Sequence, residues 1–219
     1  MTTIVRSYIT KSAMNAISFT FDPVKHQFDT QLGPRYSVTQ ILAKNGIIDF
    51  SFVEEETRLL SMARGNSVHW LTQLEDAGGL DYRRVPKSLR GYRKAWNLWK
   101  QRSGVQITSV ETPFVSRFGY AGIIDRTGTF PPSVFLGFGS SAVIDIKSGP
   151  IGDWTRYQLA AYAVWAAGDS AVKGEFVRRI AIHLNPLGEY KVREFPLCTF
   201  RVDWAKFMSW TRKANDGGT

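Results

Sequence analysis

Hydrophobic residues along the chain follow two different periods. From residue 105 onward the period changes to that of strands, with apolar runs such as Ala142-Val143-Ile144. Strands are predicted at about 105–116, 119–126 and 141–147, with a hairpin at about 175–195. An Ala-rich helical pattern at about 152–167 separates the third strand from the hairpin. Strands in this order, with a helix between them, predict an α/β fold in which a central mixed sheet is flanked by helices.

The first half, residues 1–104, is predicted to be mainly helical, with turns and mixed patterns in residues 1–35. A Ser-x-x-Gln sequence at 37–40 has the form of a capping box and predicts a short helix. A similar Ser-x-x-Glu sequence at 51–54 predicts a longer helix, with a bend near Gly65 because glycine weakens a helix interior. The length of 219 residues is consistent with a single domain.

The segment 82–102 is strongly basic and contains no acidic residue. Tyr92, Trp96 and Trp99 have helical spacing and form one apolar stripe within it. We expect this stripe to pack in the core, although stacking of the Trp side chains on unpaired bases is an alternative. On the polar face, we expect phosphate contacts from Arg83, Arg84, Lys87, Arg90, Arg93 and Lys94.

The net charge of +9 favours a polyanionic partner. DNA is the first candidate, and an anionic membrane surface is the alternative that charge alone leaves open. No apolar run has the length that a membrane span needs, so we expect a cytoplasmic protein that does not enter a membrane. Cys198 is the only cysteine, which argues against a disulfide and against a metal cluster held by cysteines. Its surroundings predict that it is buried.

Two apolar runs in the predicted sheet each lead to an acidic residue, Asp125 in one and Asp145 in the other. In the triplet Asp145-Ile146-Lys147, the Asp and Lys side chains share one face of a strand because they are two residues apart. Carboxylate oxygens are ligands that Mg²⁺ and Mn²⁺ prefer. We therefore expect Asp125 and Asp145 to hold a divalent cation. Lys147 would orient water or stabilise charge on a phosphate.

Four motifs occur in a fixed order along the chain. They are Gly65-x-x-x-His69, an apolar strand leading to Asp125, Asp145-Ile146-Lys147 and Gln158-x-x-x-Tyr162. In this order they resemble the PD-(D/E)xK nuclease superfamily, and within it the RecB-like exonuclease branch. The resemblance covers roughly residues 37 to 210 and implies a restriction-endonuclease-like core. Many nucleases of this branch carry an iron–sulfur cluster held by four cysteines, and the single cysteine departs from that pattern.

The resemblance also implies further ligands for the cation. His69 matches the helix histidine that completes the metal site in similar enzymes, and the carbonyl of Ile146 is expected to add a backbone oxygen. Glu111 lies on the strand before Asp125, where related enzymes often carry an acidic residue. An ordinary acid at a strand edge is the alternative for Glu111.

The helix that follows the third strand is expected to face the same site. Gln158 and Tyr162 share one face of it because they are four residues apart. The resemblance implies that Gln158 bonds a carboxylate or DNA and that Tyr162 reaches a phosphate, with ordinary helix packing as the alternative. Arg156 and Tyr157 lie at the start of the same helix and are expected to guide the DNA strand.

Together these features predict a metal-dependent DNA nuclease that uses Mg²⁺ or Mn²⁺. We expect an exonuclease that acts on linear or single-stranded DNA in recombination, repair or replication, as in phages. An endonuclease of the same superfamily and a catalytically silent DNA-binding module are the alternatives. The two acids argue against the silent module, because carboxylates without a cation repel phosphate. The sequence is compatible with a homo-oligomer or a recombination partner protein and indicates neither.

Overall fold

The computed structural model describes residues 6–9, 17–22, 24–132 and 140–216. The strands in these residues are β1 (Arg6–Ile9), β2 (Ser18–Asp22), β3 (Gln27–Thr30), β4 (Gly33–Arg35), β5 (Gln106–Ser116), β6 (Tyr120–Phe130), β7 (Ser140–Lys147), β8 (Arg178–Leu184) and β9 (Tyr190–Phe195). The helices are α1 (Val38–Lys44), α2 (Glu55–Asp76), α3 (Lys87–Ser103), α4 (Thr155–Ala166), α5 (Ala171–Gly174) and α6 (Phe200–Asp216).

The larger sheet has five strands in the order β5-β6-β7-β8-β9. β7 and β8 are parallel, whereas the other neighbouring pairs are antiparallel, so the sheet is mixed. α4 lies in the connection between the two parallel strands, which cannot be joined by a tight turn. The predicted α/β architecture, with a central mixed sheet flanked by helices, is confirmed.

Helices cover both faces of this sheet and form two hydrophobic cores. One core joins the sheet to α1, α4 and α6 and contains Val143 of β7. The other joins the sheet to α2 and α3 and contains Ile144 and Ile146, which alternate with Val143 as the period of a strand requires. Trp96 and Trp99 are buried in this second core, as expected, and are therefore not available for stacking on bases.

Residues 6–35 contain a sheet, where the sequence predicted only turns and mixed patterns. In their described part they form β1 to β4, which pair antiparallel in chain order as a second sheet. The prediction missed these strands because each has only three to five residues and because Gly33-Pro34 indicated a turn. Pro34 instead lies in β4 at the sheet edge, where its missing N–H costs little. The apolar residues of this sheet pack against the larger one in a cluster of Phe19, Phe21, Phe28, Val115 and Ala121.

The helices between this sheet and β5 follow the prediction in part. Ser37 and Gln40 form the predicted capping box at the start of α1. α2 begins at Glu55 rather than at Ser51, and its N-cap residue makes no side-chain capping bond. α2 is uninterrupted through Gly65, where the sequence predicted a bend. Glycine is therefore tolerated there as an ordinary helix residue.

Two surface features complete the fold. Cys198 is exposed rather than buried, because it lies in a short 3₁₀ turn that precedes α6. Among the described helices, none combines the length and the apolar character that crossing a lipid bilayer requires.

Candidate active site

β6 and β7 separate at the point where the two predicted acidic ligands face each other. Their pairing ends at Arg126 and Ile144, so the next residues in register are Asp125 and Asp145. Asp125 Oδ2 accepts a hydrogen bond from the backbone N–H of Ile146 at 2.7 Å. The strand predicted at about 119–126 was placed too short, because β6 continues past Asp125 to Phe130. The strand ladder opens at Asp125, and a carboxylate occupies the opening.

Glu111 enters the same opening from β5 through an unusual backbone conformation. Its φ of +42° lies in the left-handed region, although Val110 and Thr112 on either side of it pair with β6. Such a conformation costs about 1–3 kcal/mol and persists where the surrounding contacts hold it. Here Glu111 Oε1 lies 3.3 Å from His69 Nδ1 and accepts a hydrogen bond from Arg126 at 3.0 Å.

His69 reaches the opening from α2. Its Nε2 lies 2.9 Å from the carbonyl oxygen of Ile146, and its Nδ1 lies 3.6 Å from Asp125 Oδ2. Because a carbonyl only accepts, Nε2 carries a proton, and Nδ1 faces carboxylates that favour a second one. Burial lowers the pKa of His69, but the charges of Asp125, Glu111 and Asp145 outweigh it and raise the pKa to about 9.

The donor atoms in this opening suit a divalent cation. The ligand atoms of His69, Glu111 and Asp125 all lie within 4.8 Å of one another. The carbonyl oxygen of Ile146, which was expected to be a further ligand, lies instead beside Nε2 of His69, the ring nitrogen that does not face the carboxylates. Burial raises the pKa of Asp125. The positive charge of His69 lowers this pKa, whereas the neighbouring carboxylates raise it further. The cluster thus holds protons that a cation can replace. Oxygen donors with one imidazole fit Mg²⁺ or Mn²⁺.

Asp145 and Lys147 lie together on one face of β7, as predicted. Lys147 Nζ donates to Asp145 Oδ1 at 2.9 Å and to Gln158 Oε1 at 3.4 Å. The other carboxylate oxygen of Asp145 is buried and lacks a hydrogen-bond donor, although Lys147 Nζ lies 2.8 Å from it without the required alignment. Asp145 is not among the three ligands that cluster, but this oxygen leaves it able to bind a cation.

α4 presents Gln158 and Tyr162 to the site on one face, as expected. Gln158 Nε2 donates to the Tyr162 hydroxyl at 3.1 Å, so the amide is oriented with its oxygen towards Lys147. Tyr162 is buried and packs edge-to-face on Phe114. Burial is the main cause that raises the pKa of Tyr162 above its ordinary value. In this structure Tyr162 positions Gln158 rather than facing open solvent.

Seven of the predicted site residues line one cleft of about 540 Å³. The predicted site residues that line it are His69, Glu111, Asp125, Asp145, Lys147, Gln158 and Tyr162. They come from α2, β5, β6, β7 and α4, and the fold brings them together although they are far apart in the sequence.

Sequence reasoning missed Arg126, which is fully buried behind the cleft. Its guanidinium donates to Glu111, to Asp76 Oδ2 at 2.7 Å and to Thr72 Oγ1 at 3.0 Å. Asp76 and Thr72 belong to α2, so Arg126 joins that helix to β6 and helps to fix His69. The sequence feature that could have indicated this role is an arginine inside an otherwise apolar strand pattern.

Three of the predicted DNA contacts are engaged within the protein. Arg93 pairs with Glu75 at 2.7 Å, and Arg156 pairs with the buried Asp203 at 2.6 Å. Arg90 Nε donates to the carbonyl of Val85. Arg93 thus meets an acid of α2, and Arg156 at the start of α4 meets an acid of α6, while DNA contact by Arg90, Arg93 and Arg156 stays a prediction.

The remaining predicted DNA contacts fall into two groups. Tyr157 packs edge-to-face on Trp210, with ring centroids 4.8 Å apart. The second group has side chains that are exposed to solvent, and it contains Arg83, Arg84, Lys87 and Lys94.

Comparisons with known proteins give no family for the chain. No family model matches it, and no curated protein matches it. The chemistry of the cleft is therefore the basis for assigning a function.

Proposed function

We propose that this protein is a divalent-metal-dependent deoxyribonuclease with a PD-(D/E)xK-type site on a restriction-endonuclease-like core. The observation that carries the proposal is the convergence of four separate motifs in one cleft. A chance occurrence of the motifs in the sequence gives no reason for their side chains to meet. The mixed sheet with a crossover helix between its parallel strands supports the same fold.

The cation would be held by Nδ1 of His69 with Glu111 and Asp125, and Asp145 lies beside them. The carbonyl of Ile146, which the resemblance implies as a further ligand, would accept a hydrogen bond from Nε2 of His69 and so orient the ring. When bound, it would supply positive charge at the phosphate and make water more acidic. The raised pKa of His69 means that the ring must release a proton before its nitrogen can become a ligand. Arg126 keeps Glu111 directed into the site in either state.

Lys147 would act on the reacting groups. Two of its three ammonium hydrogens are directed to Asp145 and Gln158, which leaves one for a water or a phosphoryl oxygen. The ring centroid of Trp154 lies 4.8 Å from Lys147 Nζ, and the ring further restricts the position of the ammonium. A donor fixed in this way stabilises negative charge that develops on the phosphate without having to reorganise.

DNA is the proposed substrate because the chain carries a net charge of +9 and exposes basic side chains on the segment 82–102. The three carboxylates of the cleft would repel phosphate unless a cation neutralises them, so a silent binding module fits less well. We favour an exonuclease because the order of the motifs resembles the RecB-like branch. An endonuclease is the second outcome that an experiment must separate from it.

The direct test is a time course of degradation of linear single-stranded, linear duplex and covalently closed circular DNA. We expect the linear forms to disappear with Mg²⁺ or Mn²⁺, the closed circle to persist, and EDTA to stop the reaction. Cutting of closed circles would identify an endonuclease instead. If all three substrates persist with both metals, the nuclease proposal is wrong.

A further inference from the structure

A second hollow, which we call the side groove, adjoins the active-site cleft. It has a volume of about 590 Å³ and shares His69 and Lys147 with the cleft. Two neighbouring faces of α2 line the two hollows. Met62 and Gly65 face the side groove, whereas Trp70 and Gln73 face the cleft. A molecule in the side groove would therefore extend directly to Lys147.

The chemistry of the side groove differs from that of the cleft. Its walls are largely apolar, with Phe50, Met62 and Trp154 among them, and none of the described residues that line it is acidic. Phe50 and Met62 are 52% and 53% exposed, so their surfaces are open to a ligand. The cleft, in contrast, carries three carboxylates.

Cationic groups complete the side groove. Arg64 is exposed and donates to Ser61 Oγ at 3.4 Å, a neutral partner that leaves its charge available to an anion. Lys147 lies where the two hollows meet. A ligand with an apolar, flat part and negative charges at its ends matches this surface. An unpaired nucleotide has this form, since its base is apolar on both faces and its phosphates are anionic.

We propose that the side groove binds an unpaired nucleotide next to the phosphate at Lys147, and that single-stranded ends are accordingly the preferred substrate. This inference rests on the proposed nuclease function. In a duplex the bases are stacked and paired, so none is free to contact Phe50 without first being unpaired. The nucleotide in the side groove would direct its own phosphate towards the ammonium of Lys147.

Binding of a labelled single-stranded oligonucleotide, measured by fluorescence anisotropy with Ca²⁺ in place of Mg²⁺, tests the aromatic contact while a cation neutralises the carboxylates, and a gel checks that the oligonucleotide stays intact. We expect Phe50→Ala to weaken binding by about fivefold or more, since stacking on one base contributes to that extent. The matched control is Phe52→Ala, because Phe52 is 81% exposed in the same loop and does not line the side groove. Both side chains are exposed, so neither variant should unfold.

An oligonucleotide of abasic units separates contact with a base from contact with the backbone. Wild type and Phe50→Ala should bind it equally, because the group that Phe50 contacts is missing. Arg64→Ala should weaken binding of both oligonucleotides and lower the salt dependence. Arg212→Ala removes the same charge from α6, away from both hollows. It should change neither the binding of the oligonucleotides nor the salt dependence.

Several results would overturn the inference. Equal binding of a single strand by Phe50→Ala and Phe52→Ala would do so, as would tighter binding of a blunt duplex than of the single strand by wild type. Neither result touches the nuclease proposal, which is tested by cleavage with Mg²⁺. If wild type binds single strands through Phe50 but cuts nothing with either metal, the nuclease proposal fails and the side groove stands as a binding site.

Discussion

Glu111 adopts a backbone conformation that strands rarely contain, and this conformation brings its carboxylate to two cationic groups. Its φ of +42° is unfavourable for a residue with a side chain. The contacts with the buried Arg126 and with His69 offset that cost. At the scale of single residues, one candidate ligand, Glu111, therefore has a strained backbone, and the buried Arg126 holds its carboxylate in place.

Removing the charge of Glu111 should weaken metal binding. We expect Glu111→Gln to lower the affinity for Mn²⁺ by about tenfold or more, because a neutral amide is a poorer ligand and leaves Arg126 less well paired. Isothermal titration calorimetry measures the change. The control is Glu56→Gln, which alters an exposed acid in the first turn of α2. Equal Mn²⁺ affinity of the two variants would remove Glu111 from the site.

The sequence was informative about the residues of the cleft and less so about their surroundings. The order of motifs indicated His69, Asp125 and Lys147, since each belongs to a short pattern with chemical meaning. Arg126 was missed because an arginine in a basic chain does not reveal whether it is buried. The ion pair between Arg93 and Glu75 was not predicted for the related reason that Glu75 lies on a different helix.

At the scale of elements, α3 lies very close to the turn between β8 and β9. A Cβ atom at Gly91 would collide with the backbone carbonyl of Pro186. Since the obstacle is backbone, it cannot turn aside as a flexible side chain would. Glycine at this position lets the basic helix approach the sheet, and the helix in turn anchors α2 with His69.

Gly91→Ala should therefore destabilise the protein. We expect a loss of at least about 2 kcal/mol in the free energy of unfolding, measured by urea denaturation, because the added methyl group forces α3 away from the turn. Gly65→Ala on α2 is the matched control. Its Cβ would meet only Ser148 Oγ at 3.7 Å, so we expect a gain of about 0.5–1 kcal/mol from helix propensity. Equal effects of the two variants would contradict the packing described for α3.

The strands of the larger sheet were predictable because β5, β6 and β7 have eight to eleven residues and contain the apolar runs that are typical of strands in a buried sheet. The N-terminal sheet was not, since its strands are short and depend on packing against Val115 and Ala121. Tertiary contacts of this kind leave no local pattern. They also explain why β6 continues past Asp125, because its partner β5 is equally long.

At the scale of the whole molecule, the excess of basic residues serves two purposes. Some of these residues hold the fold together through buried or half-buried ion pairs. This group contains Arg93, Lys100, Arg126, Arg156 and Arg179. Others are exposed on the segment 82–102 and remain available to a partner. The net charge of +9 therefore identifies a basic protein without identifying which of its cations meet the partner.

Replacing Arg83, Arg84 and Lys87 together by Ala should weaken DNA binding. We expect the slope of the logarithm of the binding constant against the logarithm of the salt concentration to become shallower. The change should be up to roughly 0.9 for each phosphate contact that is lost. Stability should change little, because all three side chains are exposed. Arg93→Ala should instead lower stability through the loss of its contact with Glu75. An unchanged salt dependence in the triple variant would show that the segment is simply a solvated surface.

The measurement that tests the account most directly is the cleavage rate of linear DNA by Lys147→Ala with Mg²⁺, beside its DNA affinity in EDTA and its unfolding free energy. We predict that cleavage falls by about 100-fold or more, since a fixed donor to the reacting phosphate is lost. Folding and most of the DNA affinity should remain, and Lys206→Ala, an exposed lysine of α6, should resemble wild type in every respect. Cleavage by Lys147→Ala at the wild-type rate would contradict the assigned site.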